Sequence, residues 1–334
     1  MKSRFVGALS LLFAFGALST HPADAAVKYD VIDLGFFDGT SINSGGEVSG
    51  IGPTQFFGVA NAYVWNGKFI DLGSLVVGAT NGYGFASDAV RVDSLGRVYG
   101  TSVYVHTQNG DFRSAFVWDG KMHAVPHPAG AISCQATSAN NVGEVVGLCY
   151  LGPPSNWHSF IYSHGVSRLF APLGWEIDDV NSSGEILITD ASGHFRLFSH
   201  GRYIVLKKSF FADKLNDAGI SAGSLTSLQG SDAAYTDGTN YVDLGILPGF
   251  PFTNLSTLSL KGAGVGVASD GSGTQHALYY DATVGIIDLN GAIDPGQKFT
   301  LNQGIDINAS GQILALGGPA GAPSSHTYVL TPRV

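Results

Sequence analysis

Apolar and polar residues alternate along most of this chain in short runs, broken by glycine and asparagine, and the runs recur as one unit. A turn of the form apolar-Asn-x-x-Gly, followed by apolar-x-Gly alternation, occupies residues 42–50, 92–100, 139–147, 180–187 and 215–223. It returns in degraded form at 260–266 and again at 307–315. The turn glycines read as Gly46, Gly96, Gly143, Gly184, Gly219, Gly264 and Gly311. Asn or Asp at the first position can bond the backbone two residues on, and the glycine tolerates positive φ. Between alternating runs this predicts a β-hairpin with a type I turn and a glycine bulge. The asparagines are accordingly read as structural.

A second motif follows each turn after a variable loop. Its first copy is Ala62-Tyr63-Val64-Trp65-Asn66-Gly67, running on to Phe69-Ile70-Asp71-Leu72-Gly73. Further copies begin at Ser114, His158, His194, Ala233, His276 and His326. Asn-Gly and Asp-Gly steps between alternating runs are strong hairpin signals. Each unit thus holds two hairpins, or four strands, in about 44 residues, which is the arithmetic of a β-propeller. The expected fold is all-β: a seven-bladed propeller of four-stranded blades. The segment from Lys28 to Gly35 repeats the unit's last strand, and the seventh unit, ending at Pro332, lacks one. The N-terminal strand is therefore expected to complete the last blade and close the ring.

The second motif, His/Ser-Ala/Ser-Phe-x-Trp/Tyr-x-x-Gly then Asp-Leu-Gly, resembles the HAF-repeat family of extracellular bacterial proteins. The Ile-Asn-x-x-Gly-x-Val-x-Gly turn is similar to the other half of that family's repeat. Among internal copies only Asp71-Leu72-Gly73 and Asp243-Leu244-Gly245 keep the terminal motif intact, and the copies at Lys261-Gly262 and Met122-His123-Ala124 depart most. The resemblance implies export and repeats. It implies no established activity and no catalytic residues.

The opening residues belong to a different class. Lys2 and Arg4 precede an apolar run from Phe5 to Leu18, and Ala23-Asp24-Ala25 offers a small-x-small cleavage site. Residues 1–25 are thus expected to be a signal peptide and 26–334 a single repeat domain, secreted or periplasmic. No later stretch approaches the roughly 18 apolar residues of a spanning helix. The formal charge is −9, charged residues make up 13%, and no Lys/Arg cluster occurs. Nucleic acid and anionic membrane are thereby poor partners. The 46 glycines and frequent Tyr, Phe, Val and Thr suit strands and tight turns.

Candidate chemistry is sparse. Cys134 and Cys149 flank the Asn140–Gly143 turn and are expected to face each other across one hairpin, subject to a one-residue shift from a bulge. Export favours a disulfide there. His158, His194, His276 and His326 recur at the start of the third strand, which points to packing or strand-edge hydrogen bonds. Pro126 and Pro128 keep His123 and His127 off a helical metal site. Asp178, Asp179 and Glu176 cluster beside Trp175, and paired carboxylates are how many glycosidases work; loop or strand-edge roles are the expectation. No nucleophile elbow, zinc motif, phosphate loop or calcium loop occurs. No catalytic residue, metal site or cofactor is implied.

Short Asn turns sit at one end of every unit, and long aromatic loops at the other. Phe57, Tyr83, Phe85, Tyr104, Trp157, Trp175, Phe211 and Phe252 are the candidate ligand-binding residues, set against a plain role capping blade cores. Aromatic faces beside Asn, Ser and Thr suit sugars or peptides. The leading expectation is a non-enzymatic scaffold binding a glycan, a peptide or another extracellular protein through its loop-rich face. The alternative is a secreted polysaccharide hydrolase or lyase with acid/base residues in the central funnel. A purely architectural surface protein is the third reading.

Overall fold

The computed structural model describes residues 28–52, 60–76, 87–107, 110–153, 156–228, 230–319 and 326–333. These form antiparallel meanders and one 3-10 turn at Leu289–Ala292. β1 (Tyr29–Asp33) precedes a sheet of β2 (Asp38–Ile42), β3 (Val48–Ile51), β4 (Ala62–Trp65) and β5 (Phe69–Asp71). The order repeats in β6 (Ser87–Val92), β7 (Val98–Thr107), β8 (Gly110–Trp118) and β9 (Met122–Ala124). It repeats again in β10 (Ser133–Ala139), β11 (Val145–Tyr150), β12 (Trp157–Ser163) and β13 (Val166–Leu169). Next come β14 (Glu176–Val180), β15 (Ile186–Thr189), β16 (Phe195–Ser199) and β17 (Arg202–Val205).

Two further meanders follow, joined by a single parallel bridge between Ser231 and Phe252. One holds β18 (Phe210–Leu215), β19 (Ser221–Thr226), β20 (Ser231–Thr236) and β21 (Tyr241–Gly245). The other holds β22 (Phe252–Leu258), β23 (Gly264–Ser269), β24 (Gln275–Asp281) and β25 (Gly285–Asp288). The last sheet has β26 (Phe299–Ile307), β27 (Ile313–Pro319) and β28 (His326–Pro332), and takes β1 as its fourth strand. Tyr29 lies opposite Pro332 and Asp33 opposite Tyr328.

The repeated turn behaves as its residues dictate. Asn43 accepts backbone N–H bonds from Gly45 and Glu47 through Oδ1, each at 2.9 Å, and Gly46 takes φ +81°. Asn140, Asn181, Asn216 and Asn308 do the same, and Asp93 follows with its carboxylate. The sixth copy corrects the sequence reading. Its turn glycine is Gly262, at φ +84° and donating to the carbonyl of Ser259, and not Gly264, which begins β23. Ser259 stands where the others carry Asn or Asp, which is why the motif looked displaced.

The glycine two residues into the second strand has a different cause. A Cβ on Gly50, Gly100, Gly147, Gly223 or Gly266 would lie within about 2 Å of a carbonyl on the facing innermost strand. The innermost strands bulge at that level, and the bulge brings backbone onto backbone.

The core is divided between sheets. Val146, Ile161, Ile177 and Ile188 pack β11–β12 on β14–β15, and the other neighbouring pairs have equivalent clusters. Leu314 and Val329 of the last sheet pack with Phe37, Ile42 and Val48 of the first. The Asp-Leu-Gly motif ends a meander in a fixed way. Asp33, Asp71 and Asp243 each accept from the N–H of the glycine two residues on, and Gly35, Gly73 and Gly245 all take positive φ.

Cys134 and Cys149 are bonded and directly opposed in register between β10 and β11. The register shift between Ala136 and Ser138 supplies the one-residue offset expected from the turn.

Candidate functional site

Every meander's first strand carries a bulge at the same place, three residues ahead of the turn's first residue. The extra residues are Thr40, Val90, Thr137, Asp178, Asp213, Ser256 and Ile305. A bulge leaves one residue out of the ladder and re-aims its neighbour. Here the bulged segments converge, and residues from all these innermost strands line one cavity of about 290 Å³. Its wall is polar: Ser41, Arg91, Ser138, Asp179, Lys214, Thr257 and Asp306 follow the bulge residues in turn.

One end of the cavity is lined by the turns. Ser44, Ser94, Asn141, Asp217, Leu260 and Ala309 line it there, each one residue after the turn's first position. Asn141 donates to Asp217 at 3.1 Å and accepts from the Ser94 N–H at 3.1 Å, while Ser182 N–H donates to Asp217 at 2.8 Å. These bonds link the turns of four successive sheets into a collar. Outside it, the turn asparagines bond from sheet to sheet. Asn140 Nδ2 donates to the Asn181 carbonyl at 2.9 Å, and Asn181 Nδ2 to the Asn216 carbonyl at 3.1 Å. Asn43 reaches the Asp93 carbonyl at 2.8 Å, and Asn308 reaches the Asn43 carbonyl at 2.8 Å.

The carboxylates in the cavity divide into two kinds. Asp179 accepts from Val180 N–H, Leu215 N–H and the Ser138 hydroxyl, and Asp306 from Ile42 N–H and Ile307 N–H. Both thereby stitch adjacent sheets. Asp178 and Asp213 are less well served. Burial, then the charges of Glu176 and Asp179, push Asp178 up to about 6, against one hydroxyl donor from Thr189 at 2.7 Å. Burial also raises Asp213, opposed by the Asn254 amide and the Lys214 charge. Arg91 and Lys214 form no ion pair among the described residues, and the buried Nε of Arg91 has no hydrogen-bond partner there.

Among the described residues, no aromatic candidate lines this cavity. Phe57, Tyr83 and Phe85 lie outside the described residues. Trp175 packs on the Ile177–Ile188 cluster, edge-on to Tyr203 at 5.2 Å and under the Arg196 guanidinium. Phe211 meets Phe195 at 5.9 Å, and Phe252 projects from the start of β22. Tyr104 and Trp157 lie on strands, whereas the sequence pattern suggested loops. Tyr104 is on β7, which with β8 extends well past the core as an arm.

Two candidates do share one surface. Trp157 and Tyr150 meet at 5.3 Å, and the Tyr150 carbonyl accepts from Ile132 N–H at 2.9 Å. Tyr104 reaches the Ile132 carbonyl and stands edge-on to His127 at 5.3 Å. Tyr104, Ile132 and Trp157 are 38%, 40% and 39% exposed, so this ledge is open to solvent.

The recurring histidines bond at strand edges. His276 pairs with Asp288 at 2.7 Å and His326 with Asp33 at 2.9 Å, joining the third strand to the terminal Asp motif. His158 bonds Asn156 at 3.0 Å. His194 lies in the turn ahead of β16, 3.6 Å from Asp190. Among the described residues no three Asp, Glu, His or Cys side chains come together as a metal site.

The bulge residues were the signal that sequence reading passed over. They precede the turn's first residue at a constant offset, and the residue after each is polar in every copy. In the sequence only Asp178 and Asp179 stand out, as an acidic cluster with Glu176.

No family model and no curated protein matches this chain. Solved structures do. The β-propeller domain of the Trilobed protease from Pyrococcus furiosus, described as having an open velcro topology, superposes with a TM-score of 0.54 at 9% identity. That match covers 88% of this chain and 93% of that one. The acylaminoacyl peptidase of Pyrococcus horikoshii superposes with a TM-score of 0.52 at 12% identity, over 88% of this chain and 50% of that one. At such identities the likeness is one of fold: the chain folds as a β-propeller of four-stranded sheets.

Proposed function

We propose that this chain is an exported, seven-bladed, closed β-propeller of the HAF-repeat type. It binds a glycan, without catalysis, through the ledge formed by Tyr104, Ile132, Tyr150 and Trp157. The observation that carries the ligand reading is that ledge. It offers neighbouring, partly exposed rings on paired strands at the end of the sheets opposite the Asn turns. Ring closure is supported by β1 pairing with β28 and by the Asn308–Asn43 bond between the last and first sheets. Export is supported by the Cys134–Cys149 disulfide and by the signal-like residues 1–25, which lie outside the described part.

Calorimetric titration of the mature protein with an oligosaccharide panel tests this. Binding is expected, weakened at least about tenfold by Trp157→Ala or Tyr104→Ala, or about 1.4 kcal/mol each. Binding that ignores both substitutions would overturn the ledge, and a panel of peptides bound in place of sugars would reassign its ligand.

A second reading is favoured by Asp178 and Asp213, two carboxylates from different sheets on one cavity, both shifted upward. Polysaccharide cleavage abolished by Asp178→Asn would establish a hydrolase or lyase instead.

A further inference from the structure

The central cavity poses a problem that the rest of the fold does not solve. Buried polar groups are nearly always hydrogen-bonded, and an exception calls for an occupant. The Nε of Arg91 is such an exception. Three of the cavity's carboxylates are engaged elsewhere. Asp179 and Asp306 hold backbone N–H groups of neighbouring sheets, and Asp217 is fixed in the collar by Asn141 and Ser182. A guanidinium presents a planar fork suited to a carboxylate, and this one lines the cavity with no ion pair among the described residues.

The opposite character sits two and three sheets further along, on β14 and β18. Asp178 and Asp213 each have a single side-chain hydrogen bond, from Thr189 and Asn254; Lys214 acts on Asp213 through its charge, without an ion-pair contact among the described residues. A free inorganic anion would meet five carboxylates on this wall, and a simple cation would leave Arg91 unsatisfied. A ligand carrying both signs satisfies both sides.

We infer that the central cavity is a binding site for a small zwitterion, a free amino acid or short peptide. Its carboxylate sits on Arg91 and its ammonium group faces Asp178 and Asp213. The volume of about 290 Å³ accommodates a ligand of that size. The polar lining of Ser41, Ser138 and Thr257 suits its peptide and hydroxyl groups. The site is separate from the aromatic ledge and stands whether or not the ledge binds sugar.

The test is titration of the mature protein with glycylglycine and dialanine, in parallel with N-acetylated and C-amidated forms of each. The free dipeptides are expected to bind, and blocking either end is expected to weaken binding at least about tenfold. Arg91→Gln keeps a side-chain amide in the cavity. It is expected to weaken the free dipeptides to the level of the amides, with melting temperature near that of the parent. Trp157→Ala is expected to leave dipeptide binding unchanged, so failure of the ledge and failure of the cavity are told apart. Blocked and free forms binding alike, or no heat from any free dipeptide at millimolar concentration, would overturn the inference. So would an Arg91→Gln protein that folds normally and binds as the parent does.

Discussion

The side-chain amide of Asn308 donates to the backbone carbonyl of Asn43 at 2.8 Å, across 265 residues of sequence. The same side chain that closes its turn locally through Oδ1 thus ties the last sheet to the first through Nδ2. Asn308→Asp separates the two roles, because a carboxylate keeps the local acceptor and loses the donor. It also places negative charge against a carbonyl. A cost of about 1–3 kcal/mol is expected for the unmade bond. Urea unfolding measures it, and an unchanged midpoint would mean that the inter-sheet bond contributes nothing.

β1 should matter out of proportion to its five residues. Tyr29 is 1% exposed, stands edge-on to Tyr279 at 6.3 Å, and packs in a cluster with Leu301, Ile313 and Tyr328. Tyr29→Ala is expected to cost about 3–5 kcal/mol, as for other large aromatics in a core. Hydrogen exchange should show lost protection first on β28, where β1 bonds, while β10–β13 stay protected.

Reducing Cys134–Cys149 should weaken the fold without altering it. The bond closes a loop of sequence separation 15, worth about 3 kcal/mol on chain-entropy grounds. The β10–β11 ladder itself pairs these residues in register, and is expected to do so after reduction. Denaturation midpoints with and without reductant should differ, with superimposable circular dichroism before unfolding.

Asp178 gives stability a pH dependence of unusual sign for a carboxylate. Its folded value of about 6 lies above the ordinary 3.8, so the folded state holds the proton more tightly. Its contribution is intact below about pH 4, declines between 4 and 6, and is lost above that. Asp178→Asn removes the cost of burying the charge. The variant should gain, relative to the parent, on the order of 2–3 kcal/mol at pH 7 compared with pH 4. Chemical unfolding at the two pH values checks it.

What the sequence disclosed was whatever depends on neighbours in the chain. Asn43, Gly46 and their counterparts announce the turn because their bonds are made within four residues, and the cysteine pair follows from counting outward from one such turn. Gly264 misled because Ser259 had replaced the asparagine that anchors the count. The inter-sheet role of Asn308 was hidden, since its partner sits at the far end of the chain. The cavity was hidden too. A bulge alters which way Asp178, Arg91 and Lys214 point, and no alternation of apolar and polar residues encodes that. The aromatics looked like one group because they share an end of the unit. Among the described candidates, Tyr104 and Trp157 alone share a surface, and that depends on how far β7 and β8 extend.

The pairing of β1 with β28 also governs when folding can finish. His326 and Asp33 are 293 residues apart, yet they belong to one sheet. Most strands find their partners within their own meander and can form as soon as that stretch is free. β1 is made early and must wait, its edge unpaired, until the last residues arrive. Contacts of such long sequence separation are slow to close. Completion is therefore set by the arrival of the C-terminal strand.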